Sequence, residues 1–173
     1  MRLTGLAAIL AGSLRGIASF VPSTARGVLL LYFVTDIFIL FGTTGLYEFL
    51  RPEIGRIGLL GFLLEMVGVA ILIGREVAIF GPSAYPVGAL IFAAGLDLFG
   101  IASWKAKRLP PWIILLWILS TVVGPVGFLR PGLNFLFVAS GVMFAIGFAA
   151  AGVRVFASQT AQQPLGTTRA PRV

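Results

Sequence analysis

Four ionisable side chains interrupt long apolar stretches of this chain, and they are the residues best able to do chemistry. Asp36, for example, lies within the run LYFVTDIFILFG at residues 31–42. A charge inside a membrane is costly, so such residues are by default candidates for binding ions or protons. With two neighbouring hydroxyl groups they make up the predicted intramembrane polar site, which comprises Arg15, Asp36, Glu65, Asp97, Ser120 and Thr121.

The residue types that are missing exclude several kinds of chemistry. The chain has neither Cys nor His, so disulfides, thiol redox chemistry, zinc sites with Cys or His ligands and catalysis by a histidine base are excluded. The only lysines, Lys105 and Lys107, lie in a polar connection, and no motif of a known intramembrane enzyme is present. We therefore predict that the protein is not an enzyme and that it has no catalytic residue, metal site or cofactor.

Arg15 and Asp36 are predicted to lie close together. With about 1.5 Å of rise per residue, Arg15 is roughly 9–10 Å and Asp36 roughly 13–15 Å below the same membrane boundary. Their consecutive apolar segments are joined by a tight turn, so an antiparallel arrangement allows an ion pair. Since a charge at the bilayer centre costs about 2.5 kcal/mol or more, pairing is favoured. In the alternative, Arg15 reaches the headgroups and Asp36 stays protonated.

Glu65 and Asp97 are predicted to form a second pair, without a basic partner. Glu65 lies near the middle of its segment, and Asp97 lies roughly 9–10 Å from the nearer membrane boundary on the next segment. Two such carboxyl groups are expected to retain at least one proton, and they could share it, bind a cation or relay protons. The alternative is two neutral acids, each hydrogen-bonded across a helix interface.

A proline lies inside the fifth apolar segment. Pro125 cannot donate a hydrogen bond to the carbonyl group of Thr121, so it is expected to kink or break the helix. A freed carbonyl group in a membrane needs a partner or lines a cavity, and Ser120 is adjacent. This stretch is therefore the predicted place for a polar pocket, unless a threonine hydroxyl group satisfies a purely structural kink.

Composition and spacing predict the elements that hold these residues. Hydrophobic residues make up 58% and charged residues 11% of the 173 residues, whereas soluble domains have roughly 45–50% and 25%. A helix needs about 20 apolar residues to cross a bilayer. We predict an all-α polytopic transmembrane bundle of six helices with short loops, within a domain of residues 1–153 that precedes a polar, disordered cytoplasmic tail of residues 154–173. The six segments are 3–21, 27–50, 56–74, 86–103, 111–129 and 132–153.

Basic residues predict the orientation in the inner membrane. With six spans, most of them fall on one face: Arg2, Arg51, Arg56, Lys105, Lys107, Arg108, Arg154, Arg169 and Arg172. The positive-inside rule makes this face cytoplasmic, so both termini are predicted inside. Charges at segment ends, such as Arg75 with Glu76, are interpreted as interfacial pairs. The first run resembles a signal peptide, but Arg15 interrupts it, so we expect a retained helix.

Partners are predicted from small residues and from the distribution of charge. Small residues four apart let helices approach closely, and they could contact a second copy or another membrane protein, although packing within the chain is the simpler interpretation. The net charge of +7 does not predict nucleic-acid binding, because basic residues cluster at segment ends, where they contact the lipid bilayer. The two small-residue faces comprise Ala8, Gly12 and Gly16, and Gly141, Ala145 and Ala149.

The stretch TDIFILFGTTGLYEFLRPEIGRIGLLGFLLEMVG (35–68) resembles a pattern in small multi-span bacterial membrane proteins of unassigned function. In that pattern, a helix with an Asp ends in Gly-Leu-Tyr, and a basic turn then opens a glycine-rich helix. The resemblance covers these residues alone and implies no activity. In size and span count, the chain also resembles the substrate-binding membrane subunits of energy-coupling-factor transporters, a likeness of fold only.

The predicted function is that of an integral inner-membrane protein that binds or conducts a small solute, proton or cation within its helix bundle. The alternative is a non-catalytic structural or accessory subunit that packs against a larger membrane complex. The two functions predict different surroundings for the acidic residues. A transporter should hold them in a hydrated cavity, whereas a structural subunit should bury them in dry contacts.

Overall fold

A computed structural model describes residues 2–161 of the protein, apart from 23 and 131, and these residues form five α-helices. Four of them, α2 to α5, are long and apolar enough to cross a membrane. Large apolar side chains such as Leu3, Phe20 and Leu129 are exposed on the outside, as expected where lipid is the solvent. The helices are α1 (Arg2–Ala18), α2 (Val28–Glu76), α3 (Ala84–Lys105), α4 (Pro111–Leu129) and α5 (Asn134–Ala161).

The prediction of a six-helix bundle is wrong, because residues 28–76 form a single helical element. The expected connection RPEIG is not a loop: the helix continues through Pro52 and departs from helical geometry only at Gly55, with φ 58° and ψ −157°. Glycine adopts this conformation readily and other residues do not, so the chain reverses within one residue. In addition, α1 has 17 residues and falls short of the length of a candidate span.

At Gly55, α2 folds back on itself into two antiparallel arms, residues 28–54 and 56–76. The hydroxyl group of Thr43 in the first arm donates a hydrogen bond to Glu65 in the second arm, at 3.2 Å. The rings of Tyr47 and Phe62 stack with centroids 4.2 Å apart. In a straight helix, Thr43 and Glu65 would be about 33 Å apart. We call the contact region between the two arms the α2 seam.

The first and last helices pack against each other through small residues. A Cβ atom at Gly12 would lie 2.5 Å from the carbonyl oxygen of Ala145 and 2.8 Å from Ala149, so only glycine fits there. Gly16 also faces Ala145, at an ordinary distance of 3.5 Å. The two small-residue faces therefore contact each other within the chain, although Gly12, Gly16, Ala145 and Ala149 also line an open groove of about 440 Å³ along one side of this contact.

The remaining contacts place α3 and α4 on the other side of the bundle. A Cβ atom at Gly61, in the second arm of α2, would lie 2.5 Å from the backbone nitrogen of Phe99 in α3, and one at Gly100 would lie 3.2 Å from Ile114 in α4. Trp117 of α4 is fully buried. The last helix continues to Ala161, past residue 154 where the predicted tail begins, and residues 162–173 lie outside the described part of the chain.

Charged side chains distinguish the two ends of the bundle. Near the bend of α2, Arg108 in the α3–α4 connection forms a two-pronged ion pair with Glu53, with N–O distances of 2.6 and 2.7 Å. We call this end, where α1 also begins and α5 finishes, the bend end. At the opposite end, Arg15 and the last residues of α2 approach Asp36, and we call it the Asp36 end.

Candidate functional site

Four charged residues from α1 and from both arms of α2 lie at one level of the Asp36 end. The antiparallel packing of α1 on the first arm, with Gly42 against Ala8, brings Arg15 level with Asp36. The second arm returns alongside the first, so its last residues reach the same level. Electrostatic interactions connect the members of this cluster, the charged layer, which comprises Arg15, Asp36, Arg75 and Glu76.

Arg15 and Asp36 approach each other but do not form the predicted contact ion pair. Asp36 is buried, and two arginines act on it electrostatically, Arg15 more strongly than Arg75. Nevertheless, in the described part of the chain, no nitrogen of Arg15 lies within 4.0 Å of a carboxylate oxygen. Its guanidinium carbon lies 5.8 Å from the centroid of the Tyr32 ring. The two opposite charges therefore attract each other across a gap.

Arg75 and Glu76 belong to this layer, although their place at a segment end predicted an interfacial pair. The Glu76 side chain is only 5% exposed, and its Oε1 lies 3.7 Å from Nη1 of Arg75. The other oxygen, Oε2, is buried and has no hydrogen-bond partner among the described residues. Sequence reasoning identified the pair but missed its place beside Asp36, because depth was counted along each segment separately. Counting outward from Gly55 would have placed Glu76 almost level with Asp36.

Glu65 lies in the α2 seam, sealed by close packing. It is 1% exposed, and it accepts a hydrogen bond from Thr43 through Oε2, while Oε1 has no partner among the described residues. A Cβ atom at Gly95 of α3 would lie 2.5 Å from the backbone nitrogen of Glu65 and 3.0 Å from its Cγ. The glycine thus lets α3 close directly over the carboxylate, and no room for solvent remains on that side.

Asp97 is not the partner of Glu65. Its two carboxylate oxygens each lie 3.0 Å from the hydroxyl oxygen of Thr121 on α4. Gly95 faces Glu65, and a residue two positions later on a helix points to the other side, about 200° around the axis. The predicted Glu65–Asp97 pair is therefore wrong: the two acids have comparable depth but face different interfaces.

The hydroxyl groups near Pro125 have partners inside the protein. Helix α4 continues through Pro125 to Leu129. Ser120 donates to the carbonyl oxygen of Trp117 at 2.7 Å, and Thr121 lies 2.8 Å from that of Ile118 in addition to its contact with Asp97. Both hydroxyl groups are thus engaged within the protein, but neither binds the carbonyl group of Thr121 that Pro125 leaves free, so both the predicted pocket and its structural alternative stay predictions.

The polar groups of the α2 seam follow one line that ends near mid-membrane. Asp36 and Thr43 are two turns apart, so they share a face of the first arm, and Glu65 and Glu76 share a face of the second arm three turns apart. Beyond Glu65, toward the bend end, the stacked rings of Tyr47 and Phe62 close the seam. The line therefore runs from the charged layer toward Glu65, with the buried apolar side chains of Ile39 and Val69 between its polar groups, and it stops at Glu65.

Neither a metal-binding cluster among the described residues nor a similarity to a known protein indicates a further functional site. Within the described residues, no group of three or more Asp and Glu side chains could hold a metal ion. No family model, no curated protein and no solved structure matches the chain. The resemblance of residues 35–68 to small multi-span bacterial membrane proteins stays a prediction.

Proposed function

We propose that the protein is an integral membrane protein that binds protons in the charged layer and passes them along the α2 seam to Glu65. The carrying observation is the incompletely paired charge of the layer: Glu76 has one long ion pair with Arg75, at 3.7 Å, and its other oxygen is buried with no hydrogen-bond partner among the described residues. Charges that only held helices together should close into contact pairs, because an unpaired charge in a membrane costs about 2.5 kcal/mol or more.

The α2 seam fits a proton better than it fits a larger solute. Glu65 and Thr43 are fully buried and in direct contact, so a molecule would have to force the arms apart to reach them. A proton needs only ionisable groups and transient water between them. Because Tyr47 and Phe62 close the seam beyond Glu65, transfer to the bend end would require the arms to separate, with Gly55 as the hinge.

The proposed location is the inner membrane, with the bend end in the cytoplasm. Basic residues are concentrated at that end, including Arg51, Arg56 and Lys105, and the positive-inside rule places such a face in the cytoplasm. Since α1 begins and α5 finishes at the bend end, reporter tags fused to the two termini should both report a cytoplasmic location. A periplasmic signal from either tag would contradict this orientation.

Proton flux into vesicles tests the activity. The purified protein is reconstituted into vesicles that trap a pH-sensitive dye, and a potassium diffusion potential then drives protons inward. Wild type should acidify the interior faster than protein-free vesicles do, and Asp36→Asn or Glu76→Gln should return the rate to the protein-free level. The exposed Glu48 provides a matched control, because Glu48→Gln should leave the rate unchanged. A wild-type rate equal to that of protein-free vesicles would refute the proposal.

One observation favours a second function, that of a structural or accessory subunit of a larger membrane complex. Glu65 lies in dry contacts with Thr43 and with the backbone opposite Gly95, the surroundings expected of a subunit that does not transport. This alternative predicts no proton flux. It also predicts that the protein, extracted from its own membrane in a mild detergent, migrates within a larger complex in native electrophoresis.

A further inference from the structure

A basic cavity lies at the bend end, away from the α2 seam. It has a volume of about 540 Å³ and opens to the surroundings. Its walls come from the end of α3, the α3–α4 connection, the start of α4 and the last turns of α5. Three of its lining residues are basic and none is acidic; with the aromatic and proline residues that the argument uses, they are Trp104, Lys107, Arg108, Pro111 and Arg154.

Two of the three cations in this cavity are available to a ligand. Arg108 is held by Glu53 through two N–O contacts of 2.6 and 2.7 Å, so its charge is already compensated. Lys107 and Arg154 are exposed, and neither has an ion pair within 4.0 Å in the described part of the chain. Two uncompensated positive charges on the wall of one concavity attract an anion.

Lys107 lies in a left-handed backbone conformation just past the end of α3. Lys107 has φ 54°, and its N–H group donates to the carbonyl oxygen of Trp104 at 2.9 Å, just past the end of α3. This left-handed position after a helix is usually taken by glycine, which adopts it without steric cost. A glycine would relieve the strain of this conformation, but Ala78 takes the same kind of position after α2 with φ 60°, so the backbone conformation alone does not single out the charge of Lys107.

The other walls suit an anionic group at the membrane surface. Trp104 is 56% exposed, and tryptophan is enriched at the level of the lipid headgroups. Helix α4 begins at Pro111, directly after Pro110, and neither proline has an N–H group, while Ile113 donates its N–H to the carbonyl oxygen of Pro110 at 3.1 Å. The positive potential of the cavity therefore comes from its side chains. We propose that this basic cavity binds a phosphate group, carried either by the headgroup of an anionic lipid or by a free phosphate compound.

Lipid competition tests the proposal on the full-length protein in a neutral detergent. Brominated phosphatidylglycerol and brominated phosphatidylcholine are titrated separately, and binding is followed by quenching of tryptophan fluorescence, to which Trp104 contributes. The wild type should prefer phosphatidylglycerol, and Lys107→Gly with Arg154→Gln should lower its affinity roughly tenfold or more. The control is Arg51→Gln with Arg56→Gln, which removes the same charge from the same end outside the cavity and should change the affinity much less.

Two further measurements separate the sources of phosphate and guard against misfolding. Inorganic phosphate added to lipid-free protein should raise its melting temperature only if a soluble compound is the ligand, and the cavity variant should lose that shift. Lys107→Gly alone should fold at least as well as wild type, because glycine relieves the positive φ. Equal loss of lipid affinity in the cavity and control variants would overturn the proposal, as would the absence of both lipid preference and phosphate binding.

Discussion

Two pairs of acidic residues lie within the helices of this protein, and they are stabilised in different ways. Glu65 and Asp97 each contact a threonine hydroxyl group at 3.0–3.2 Å, across the α2 seam and on α4 respectively. Asp36 and Glu76 instead lie in the charged layer, where the positive charges of its arginines attract them. Arg15 does so without a close contact to either carboxylate. The first pair depends on hydrogen bonds, and the second depends on the attraction of arginines, of which only Arg75 comes within 4.0 Å of Glu76.

This difference should decide how each region responds to substitution. A contact site is sensitive to the size of its neighbours, because packed backbones cannot move apart without losing other contacts. Coulomb attraction falls only with the inverse of distance, so the charged layer should tolerate changes of shape and respond mainly to changes of charge.

The largest effect is expected where α3 closes over Glu65. Gly95→Ala places a methyl group 2.5 Å from the backbone nitrogen of Glu65, so α2 and α3 must separate. The free energy of unfolding should fall by about 1–3 kcal/mol, as for other overpacked interiors, and equilibrium unfolding in mixed detergent measures it. Gly16→Ala is the control, because its new methyl group would meet only Ala145 at 3.5 Å. Equal effects of the two substitutions would show that the Glu65 site is not tightly sealed.

The next effect concerns the coupling of Asp36 to its two arginines. Arg15→Leu leaves Asp36 with Arg75 as its remaining partner, so the loss should be partial. Replacing Asp36 as well, by Leu, should recover part of the stability, with a coupling energy of about 1 kcal/mol. A double-mutant cycle measures this value, and a second cycle with Arg75→Leu should give a smaller one. A coupling of zero in both cycles would mean that the layer is not held by attraction between opposite charges.

Glu65 itself should contribute less to stability. Glu65→Leu removes a single hydrogen bond with Thr43 and should cost about 1 kcal/mol or less, the usual value between helices in lipid. Glu65→Gln keeps the shape and the bond, so it should leave stability unchanged while abolishing proton flux in the vesicle assay. If Glu65→Gln changed neither stability nor flux, Glu65 would serve packing alone.

The smallest effect is expected at Asp97. Thr121→Val removes the hydroxyl group between α3 and α4, at a cost of about 0.6 kcal/mol. Proton flux should not change, because Asp97 lies outside the α2 seam. A loss of flux on this substitution would extend the proton route beyond the two arms of α2.

The sequence predicted the apolar helical character well, and the reason is physical. Long apolar runs have few alternatives in lipid, so the predicted segments 86–103 and 111–129 lie close to α3 (Ala84–Lys105) and α4 (Pro111–Leu129). The same rules predicted the place of the reversal, between segments 27–50 and 56–74, but not its form. The predicted connection RPEIG is helical through Pro52, and the reversal depends on the φ of a single glycine, Gly55, an angle that side-chain patterns do not encode.

The sequence predicted the depth of each candidate residue in the membrane but not the side of the helix on which it lies. Counting residues placed Arg15 near Asp36 because consecutive antiparallel helices preserve depth. The same count paired Glu65 with Asp97 wrongly, since it ignores which side of α3 each residue faces. Gly95, two positions before Asp97, carries the contact with Glu65. A glycine spaced to lie opposite an acidic residue could have indicated the correct interface.

The contact between α1 and α5 has a consequence for the order of assembly. A ribosome releases α1 first, and its flank with Gly5 and Gly12 has no protein neighbour on that side until α5 has been synthesised, because these residues meet Gly152, Ala149 and Ala145. Helix α4 also finds most of its neighbours in α5, with Gly127 against Phe137 and Gly147 against Trp117. The bundle is therefore completed in a single late event, when the last helix fills the place that the first has left open.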